Sequence, residues 1–237
     1  MARFSDRIVL VTGASRGIGR AAALGLAKEG AHVIALARTV GALEELDDEI
    51  AALGGSCTLV PLDLKDFPAL DRLGGSIYER WGHLDGVLAN AGVLGALTPL
   101  THLDPELLAE AIDINVTANW RLIRSLDPLL KASDAGRAVF VTSTAARRNR
   151  AYWGCYALTK AALESLALTY ADECENSKVR INLFNPGPIR TAMRARAFPG
   201  EDPNSLKQPD AVVPAILELL APSCQLNGTC QDFASRG

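Results

Sequence analysis

Three side chains in the second half of the chain have the types and spacing needed for acid–base chemistry: Ser143, Tyr156 and Lys160. If Tyr156 lies on a helix, Lys160 follows one turn later on the same face, because residues four apart are neighbours. An ammonium group beside a phenol favours the phenolate, so we expect Lys160 to lower the pKa of Tyr156 from its usual value of about 10. A tyrosine tuned in this way can act as a general acid or base near neutral pH.

A glycine-rich turn near the N-terminus predicts a nucleotide site. Gly13, Gly17 and Gly19 separate an apolar run at 8–11 from a helical pattern at 17–29. Glycines in such a turn let the backbone approach a pyrophosphate, and the helix N-terminus offers free N–H groups. Three glycines alone also suit an ordinary structural turn. The flanking strand and helix favour the nucleotide site.

The end of the second strand indicates which nucleotide binds. A fold of this kind that uses NAD places a carboxylate there to hold the ribose 2′-hydroxyl. Here the strand ends in Ala37 and is followed by Arg38 and Thr39, with Arg16 in the glycine turn. Two guanidinium groups can bind a 2′-phosphate together. In the alternative interpretation, both arginines are ordinary solvated side chains. We therefore expect NADP(H) to be preferred over NAD(H).

Strand-like and helix-like patterns alternate along the chain. Strands are predicted at 8–11, 33–37, 57–61, 84–92, 138–142, 179–184 and 229–233, and helices at 17–29, 41–53, 66–80, 103–131, 153–176 and 210–220. This order predicts an α/β fold: a Rossmann-type, doubly wound three-layer sandwich with a seven-stranded parallel sheet, in a single domain over 1–237. The stretch 185–209 is too long for an ordinary connection, which favours a substrate lid over a plain surface loop.

Composition excludes several classes of function. A formal net charge of -3 on 237 residues argues against a nucleic-acid partner or a membrane surface. The start of the chain has no apolar segment typical of a signal peptide, and the five cysteines lack metal-type spacing, so no metal site is expected. These features predict a cytoplasmic protein.

The glycine turn and the tyrosine segment together resemble the short-chain dehydrogenase/reductase superfamily, in its short single-domain branch. Asn115, Ser143, Tyr156 and Lys160 match the catalytic tetrad of that family. The positions that match its cofactor contacts are Thr12, Gly13, Ser15, Arg16, Gly17, Ile18, Gly19, Arg38, Asp63, Leu64, Asn90, Ala91, Gly92, Tyr156, Lys160, Pro186, Gly187, Ile189 and Thr191. The last third of the chain is also similar to the YciK-type oxidoreductases of bacteria, a subgroup that brings no settled substrate.

The resemblance implies hydride transfer between NADP(H) and a carbonyl or secondary alcohol. Tyr156 would exchange the proton, and Ser143 would hydrogen-bond the substrate oxygen, with Thr142 and Thr144 as alternative hydroxyls. Lys160 would also bind the nicotinamide ribose. Asn115 resembles the residue that holds a water of a proton relay, although a helix asparagine often has only a structural role.

Two arginine-containing segments frame the expected site. They contain Arg147, Arg148 and Arg150, then Arg190, Arg194 and Arg196. Most such arginines are simply solvated, but the cluster also suits an anionic or carrier-bound substrate. Tyr152 and Trp153 are expected to form an apolar wall beside the tyrosine. The resemblance further implies a homodimer or homotetramer that pairs the helices at 103–131 and 153–176.

Two other functions remain open from the sequence. One is a non-catalytic redox sensor or regulator that binds NADP(H) on the same fold; it would not need the complete Ser–Tyr–Lys set. The other is a sugar-nucleotide epimerase or dehydratase of the extended branch. Such an enzyme would have G-x-x-G-x-x-G spacing and a longer substrate domain, and neither is present.

Overall fold

A computed structural model of the protein describes residues 3–233. Seven strands form one parallel sheet in the order β3-β2-β1-β4-β5-β6-β7. The strands are β1 (Ile8–Thr12), β2 (His32–Ala37), β3 (Ser56–Pro61), β4 (Gly86–Ala89), β5 (Arg137–Val141), β6 (Arg180–Asn185) and β7 (Thr229–Asp232). The order reverses between β1 and β4, and ligands of doubly wound sheets bind beyond the carboxyl ends of the strands at this reversal.

Helices cover both faces of the sheet. They are α1 (Gly17–Lys28), α2 (Val40–Ala52), α3 (Phe67–Trp81), α4 (Pro105–Ile112), α5 (Ala118–Ala132), α6 (Gly154–Glu173), α7 (Ala192–Ala197) and α8 (Val213–Leu220). Successive strand side chains point to opposite faces, so Val9 packs in a core with α1, α2 and α8, whereas Leu10 packs in a second core with α3, α5 and α6. These two cores confirm the predicted three-layer α/β fold.

The long helix predicted at 103–131 is interrupted. It begins at Pro105, where the Asp104 carboxylate accepts a hydrogen bond from the Glu106 N–H at 2.7 Å. At Asp113–Thr117 the backbone widens into a π-helical turn before α5 begins. Such turns insert one extra residue and are frequent at functional sites. The interruption places Asn115 at the wide turn.

The two adjacent glycines in α3 have different surroundings. A Cβ atom on Gly74 would lie 2.0 Å from the Ser125 carbonyl oxygen, and the Gly74 N–H donates to Ser125 Oγ at 2.8 Å. Glycine is therefore required where α3 crosses α5 closely. Gly75 has open space around its Cα. At Gly75, unlike at Gly74, glycine therefore lowers the helix propensity without allowing closer packing.

The segment 185–209 contains more regular structure than the sequence indicates. It includes α7, and Ile189 forms an isolated parallel bridge with Lys207 that closes the segment into a loop. The helix predicted at 210–220 begins as a tight turn at Pro209–Val212 and continues as α8. Within residues 3–233, no helix is both long and apolar enough to cross a membrane.

Candidate active site

A cleft of about 700 Å³ lies beyond the carboxyl ends of the strands. The segments that line it follow β1, β2, β3, β4, β5 and β6, together with the start of α6. Of the predicted site residues, those that line the cleft are Gly13, Ser15, Arg16, Gly17, Ile18, Arg38, Asp63, Leu64, Asn90, Ala91, Gly92, Ser143, Tyr156, Lys160, Pro186, Gly187, Ile189 and Thr191. Thr12, Gly19 and Asn115 are buried directly behind its wall. The volume is in the range of cofactor sites.

The glycine turn has a conformation that glycine alone adopts easily. Gly13 and Gly17 have φ values of 67° and 57°. A Cβ atom on Gly19 would lie 2.3 Å from the Gly13 carbonyl oxygen. The turn is therefore a backbone cradle at the N-terminus of α1, which fits a pyrophosphate group.

Thr12 joins this cradle to the turn after β4. Its Oγ1 accepts hydrogen bonds from the N–H groups of Asn90 and Ala91, each at 3.0 Å. The Asn90 amide in turn donates to the Thr12 carbonyl oxygen at 3.0 Å. Thr12 thus positions two predicted cofactor segments without lining the cleft itself.

The far end of the cleft carries the two arginines predicted to select the cofactor. Arg38 follows β2 directly, and its guanidinium lies 3.8 Å from the Asp63 carboxylate while its side chain stays 60% exposed. Arg16 is also exposed, on the glycine turn. Both groups retain donors for a phosphate, so the donor set at this end fits NADP(H).

Tyr156 and Lys160 lie on α6, and Ser143 follows β5. Tyr156 is only 7% exposed and Lys160 only 3% exposed. The Lys160 ammonium lies 5.9 Å from the centroid of the tyrosine ring and donates a hydrogen bond to the Val141 carbonyl oxygen at 2.8 Å. The predicted spacing thus brings the three side chains together at one end of the cleft.

The pKa of Tyr156 shifts opposite to our expectation. Burial raises it to about 12, and only a hydrogen bond with Ser143 lowers it. Burial also lowers the pKa of Lys160 to about 8, partly offset by the charge of Glu164. With a pKa of about 8, Lys160 is still mostly protonated near neutral pH, and it is desolvation of the phenol that dominates the pKa of Tyr156. Near neutral pH Tyr156 is protonated, the state of a proton donor.

The Asn115 side chain is held by three hydrogen bonds to protein groups. Its Oδ1 accepts from the Val93 N–H at 2.8 Å, and its Nδ2 donates to the Val93 carbonyl and to Thr159 Oγ1, both at 2.9 Å. Asn119, which sequence reasoning missed, donates from Nδ2 to the Asn115 carbonyl oxygen at 2.9 Å. Asn115 therefore anchors the loop after β4 to α6. The spacing of Asn119, one turn after Asn115, is the signal that could have revealed it.

The arginines predicted around the site separate into two groups. Arg147, Arg148 and Arg150 do not line the cleft, whereas Arg190, Arg194 and Arg196 do. Arg147 instead contacts Glu164 at 3.1 Å and Asp232 at 3.4 Å. It therefore braces α6 against β7.

The apolar wall is also built differently from the prediction. Tyr152 is 60% exposed, adopts a left-handed φ of 73° and does not line the cleft. Trp153 does line it, with its ring centroid 6.2 Å from that of Tyr156 and 5.5 Å from that of Phe198. Phe198 was missed because it is distant in sequence and lies in the segment 185–209.

Known proteins are similar to this chain in both sequence and fold. The family described as short chain dehydrogenase matches residues 7–202. The uncharacterised oxidoreductase YciK of Escherichia coli K12 is 42% identical over 219 residues, which cover 91% of this chain and 86% of that protein.

Two solved structures with bound cofactor are similarly close. A short chain dehydrogenase from Shigella flexneri 2a strain 301 in complex with NADP has a TM-score of 0.94 and 41% identity, and the match covers 98% of each chain. One from Escherichia coli CFT073 in complex with NADPH has a TM-score of 0.92 at the same identity and coverage. The chain therefore belongs to the short-chain dehydrogenase family of oxidoreductases.

Proposed function

We propose that the protein transfers a hydride between NADP(H) and a carbonyl or secondary alcohol substrate, with Tyr156 as general acid and base. The observation that carries the proposal is the buried Tyr156 phenol, which lines the cleft together with Ser143 and lies one helical turn from Lys160. A non-catalytic nucleotide-binding protein needs none of these three groups at the cleft.

The three side chains divide the work on the substrate oxygen. Tyr156 donates its proton to the carbonyl oxygen during reduction, and Ser143 donates a hydrogen bond to the same oxygen as negative charge develops. When bound, the nicotinamide supplies the hydride for reduction or accepts it for oxidation. In the oxidative direction Tyr156 takes the hydroxyl proton, and it needs additional positive charge nearby because burial keeps its pKa at about 12.

Lys160 holds the cofactor and connects the tyrosine to a proton source. One of its three N–H donors binds the Val141 carbonyl oxygen, which leaves two for ribose hydroxyls or water. The Asn115 carbonyl accepts a hydrogen bond from Asn119, and the family resemblance implies a relay water at this residue.

The cofactor preference rests on Arg38 and Arg16. We expect Arg38→Gln to lower kcat/KM for NADPH about tenfold or more, since a charge-assisted hydrogen bond contributes about 1.5–3 kcal/mol. The value for NADH should hardly change. Arg72→Gln, which removes an exposed arginine outside the cleft, is the control. A wild-type preference for NADH would contradict the assignment of NADP(H).

The reaction itself is tested with a panel of ketones, aldehydes and secondary alcohols. We expect Tyr156→Phe to lower turnover at least about a hundredfold while cofactor binding and folding persist. Tyr170→Phe makes the same substitution later on α6, where the phenol donates to Asp127, and should keep turnover near wild type. NADPH binding without turnover of any compound in the panel would favour the redox sensor instead.

Further features support proposals about organisation. We propose that residues 185–209 act as the substrate lid, because they supply Met193 and Phe198 to the cleft.

Exposed apolar side chains on the helices around the π-helical turn and on α6 support a homodimer or homotetramer; they are Leu107, Ile112, Trp120, Leu158 and Leu168. A single domain over 1–237 and a cytoplasmic location stay predictions.

A further inference from the structure

The part of the cleft around Tyr156 has an apolar lining. Its members are Leu94, Trp153, Met193, Ala197 and Phe198. The rings of Tyr156, Trp153 and Phe198 follow one another with centroid separations of 6.2 and 5.5 Å. A group placed next to the reacting carbonyl would therefore contact hydrocarbon and aromatic faces, which favours an apolar or aromatic substrate body.

Two arginines on α7 reach this part of the cleft, and only one is neutralised. Arg194 forms a bidentate ion pair with Glu201, at 2.6 and 2.5 Å, and its guanidinium stacks 3.7 Å from the Phe198 ring centroid. Arg196 has no carboxylate within 4 Å among residues 3–233, and its nearest polar contact is the Gly95 carbonyl oxygen at 3.5 Å. Arg196 therefore keeps its charge and most of its five donors.

The other arginines that line the cleft lie away from the apolar lining around Tyr156. Arg16 and Arg38 lie at the nucleotide end, on the glycine turn and after β2. Arg190 adjoins Thr191, whose methyl group lies against Gly17 of the same turn. Arg196, in contrast, contacts Gly95, which directly follows Leu94 of the apolar lining. Among the cleft-lining cations of residues 3–233, Arg196 is therefore, apart from Lys160 and the ion-paired Arg194, the one placed to meet the substrate.

We infer that the substrate is a carbonyl or secondary alcohol compound with an apolar, aromatic body and a carboxylate that Arg196 binds. The inference rests on the proposed function and specifies its substrate class. A planar guanidinium binds a carboxylate through two parallel hydrogen bonds, and the exposed Arg196 side chain has most of its donors free to do so at the rim of the apolar lining. Because Arg196 lies on α7, binding the carboxylate also draws the segment 185–209 toward the substrate.

The test compares aryl keto acids with their methyl esters. Benzoylformate, 3-benzoylpropionate and 4-acetylbenzoate place the carboxylate at different distances from the carbonyl. For the acid that reacts best, Arg196→Gln should lower kcat/KM about 10- to 100-fold, mainly through KM, because a hydrogen bond to a charged group contributes about 1.5–3 kcal/mol. Its methyl ester should change less than about twofold, within the range of an ordinary surface substitution.

Two further variants separate local recognition from overall charge. Arg148→Gln removes the same charge from an exposed position outside the cleft and should leave both compounds unaffected. Arg196→Lys should restore part of the preference for the acid, since it keeps the charge without the planar fork. Added salt should weaken turnover of the acid more than that of the ester.

The outcomes distinguish the inference from the proposed function. Esters that react as well as the acids in the wild type, or an equal loss for both in Arg196→Gln, would overturn the role of Arg196 while leaving the oxidoreductase proposal intact. If none of these acids or esters reacts although other carbonyl compounds or alcohols do, the inferred substrate class is overturned and the oxidoreductase proposal stands. If no compound of the wider panel reacts either, the proposed function fails and the inference fails with it. Calorimetric binding of 4-acetylbenzoate in the presence of NADP⁺, which Arg196→Gln should weaken about tenfold or more, tests the contact with the carboxylate independently of turnover.

Discussion

Charged side chains are buried at both ends of the strands, here called the amino edge and the carboxyl edge of the sheet. The two edges differ in how many partners the buried charge has. At the amino edge, Asp85 accepts from the Ile8 N–H at 2.8 Å and from Ser133 Oγ at 2.6 Å, and it lies 3.4 Å from the Arg7 guanidinium. At the carboxyl edge, the buried Lys160 ammonium donates to one protein acceptor within residues 3–233, the Val141 carbonyl oxygen.

This difference shows where the protein stabilises charge and where it keeps donors available. A buried charge with several partners holds elements together, and removing a partner leaves an uncompensated charge. A buried charge beside a cleft, with donors to spare and a pKa displaced by burial, is typical of a reactive site. The amino edge is therefore expected to control stability, and the carboxyl edge turnover.

The largest effect is expected at the amino edge. Asp85→Ala leaves Arg7 without its buried partner and should lower the free energy of unfolding by about 3–5 kcal/mol. Asp134→Ala removes the other carboxylate near Arg7. The Asp134 side chain is 84% exposed, so this substitution should lower the free energy of unfolding by no more than about 1 kcal/mol. Denaturant unfolding measures both. Equal losses in the two variants would contradict the distinction between buried and exposed partners.

A smaller, pH-dependent effect is expected from Lys160. Its pKa is about 8 in the folded protein and 10.5 in the unfolded chain, so the unfolded chain binds more protons between these values. Stability contributed by this residue should therefore rise by about 3 kcal/mol from pH 8 to pH 10.5 and be lost again as the pH falls. The measurement is denaturant unfolding of the wild type and Lys160→Met at pH 7.5, 9 and 10.5.

The expected result is a stability difference between wild type and Lys160→Met that grows with pH. Lys178→Met, at an exposed position, should give a difference that stays flat across the same range. A flat difference for Lys160 as well would mean that burial does not depress its pKa, and the contrast between the two edges would weaken.

The smallest effect is expected away from both edges, in α3. Gly75→Ala should raise the free energy of unfolding by about 1 kcal/mol, because the position has open space and alanine favours a helix. Gly74→Ala should lower it by about 1–3 kcal/mol, because the new methyl group meets the Ser125 carbonyl. Thermal unfolding of both variants, alongside their turnover, measures these effects. Turnover should stay near wild type for Gly75→Ala; a stabilised variant with impaired turnover would show that the scaffold and the site are coupled.

The glycine turn, the alternating strands and the spacing of Tyr156 and Lys160 were predictable because they are local patterns. Strand and helix periodicity, and the neighbourhood of residues four apart, follow from backbone geometry alone. The interruption at Asp113–Thr117 was not predictable, since a π-helical turn depends on what packs against the helix. The different surroundings of Gly74 and Gly75 are equally invisible in sequence, because they depend on the distance between α3 and α5.

By itself, the sequence determined the α/β fold, the family and the three side chains brought together at the cleft. Only the tertiary structure decided the direction in which the pKa of Tyr156 shifts, because desolvation depends on what surrounds the phenol rather than on the spacing of the lysine. The tertiary structure also decided which arginines of the cleft remain available to bind a substrate. Arg194 and Arg196 have the same side chain on the same short helix, but in the described part of the chain only Arg194 meets a carboxylate, since an ion pair requires a partner at the right distance in space.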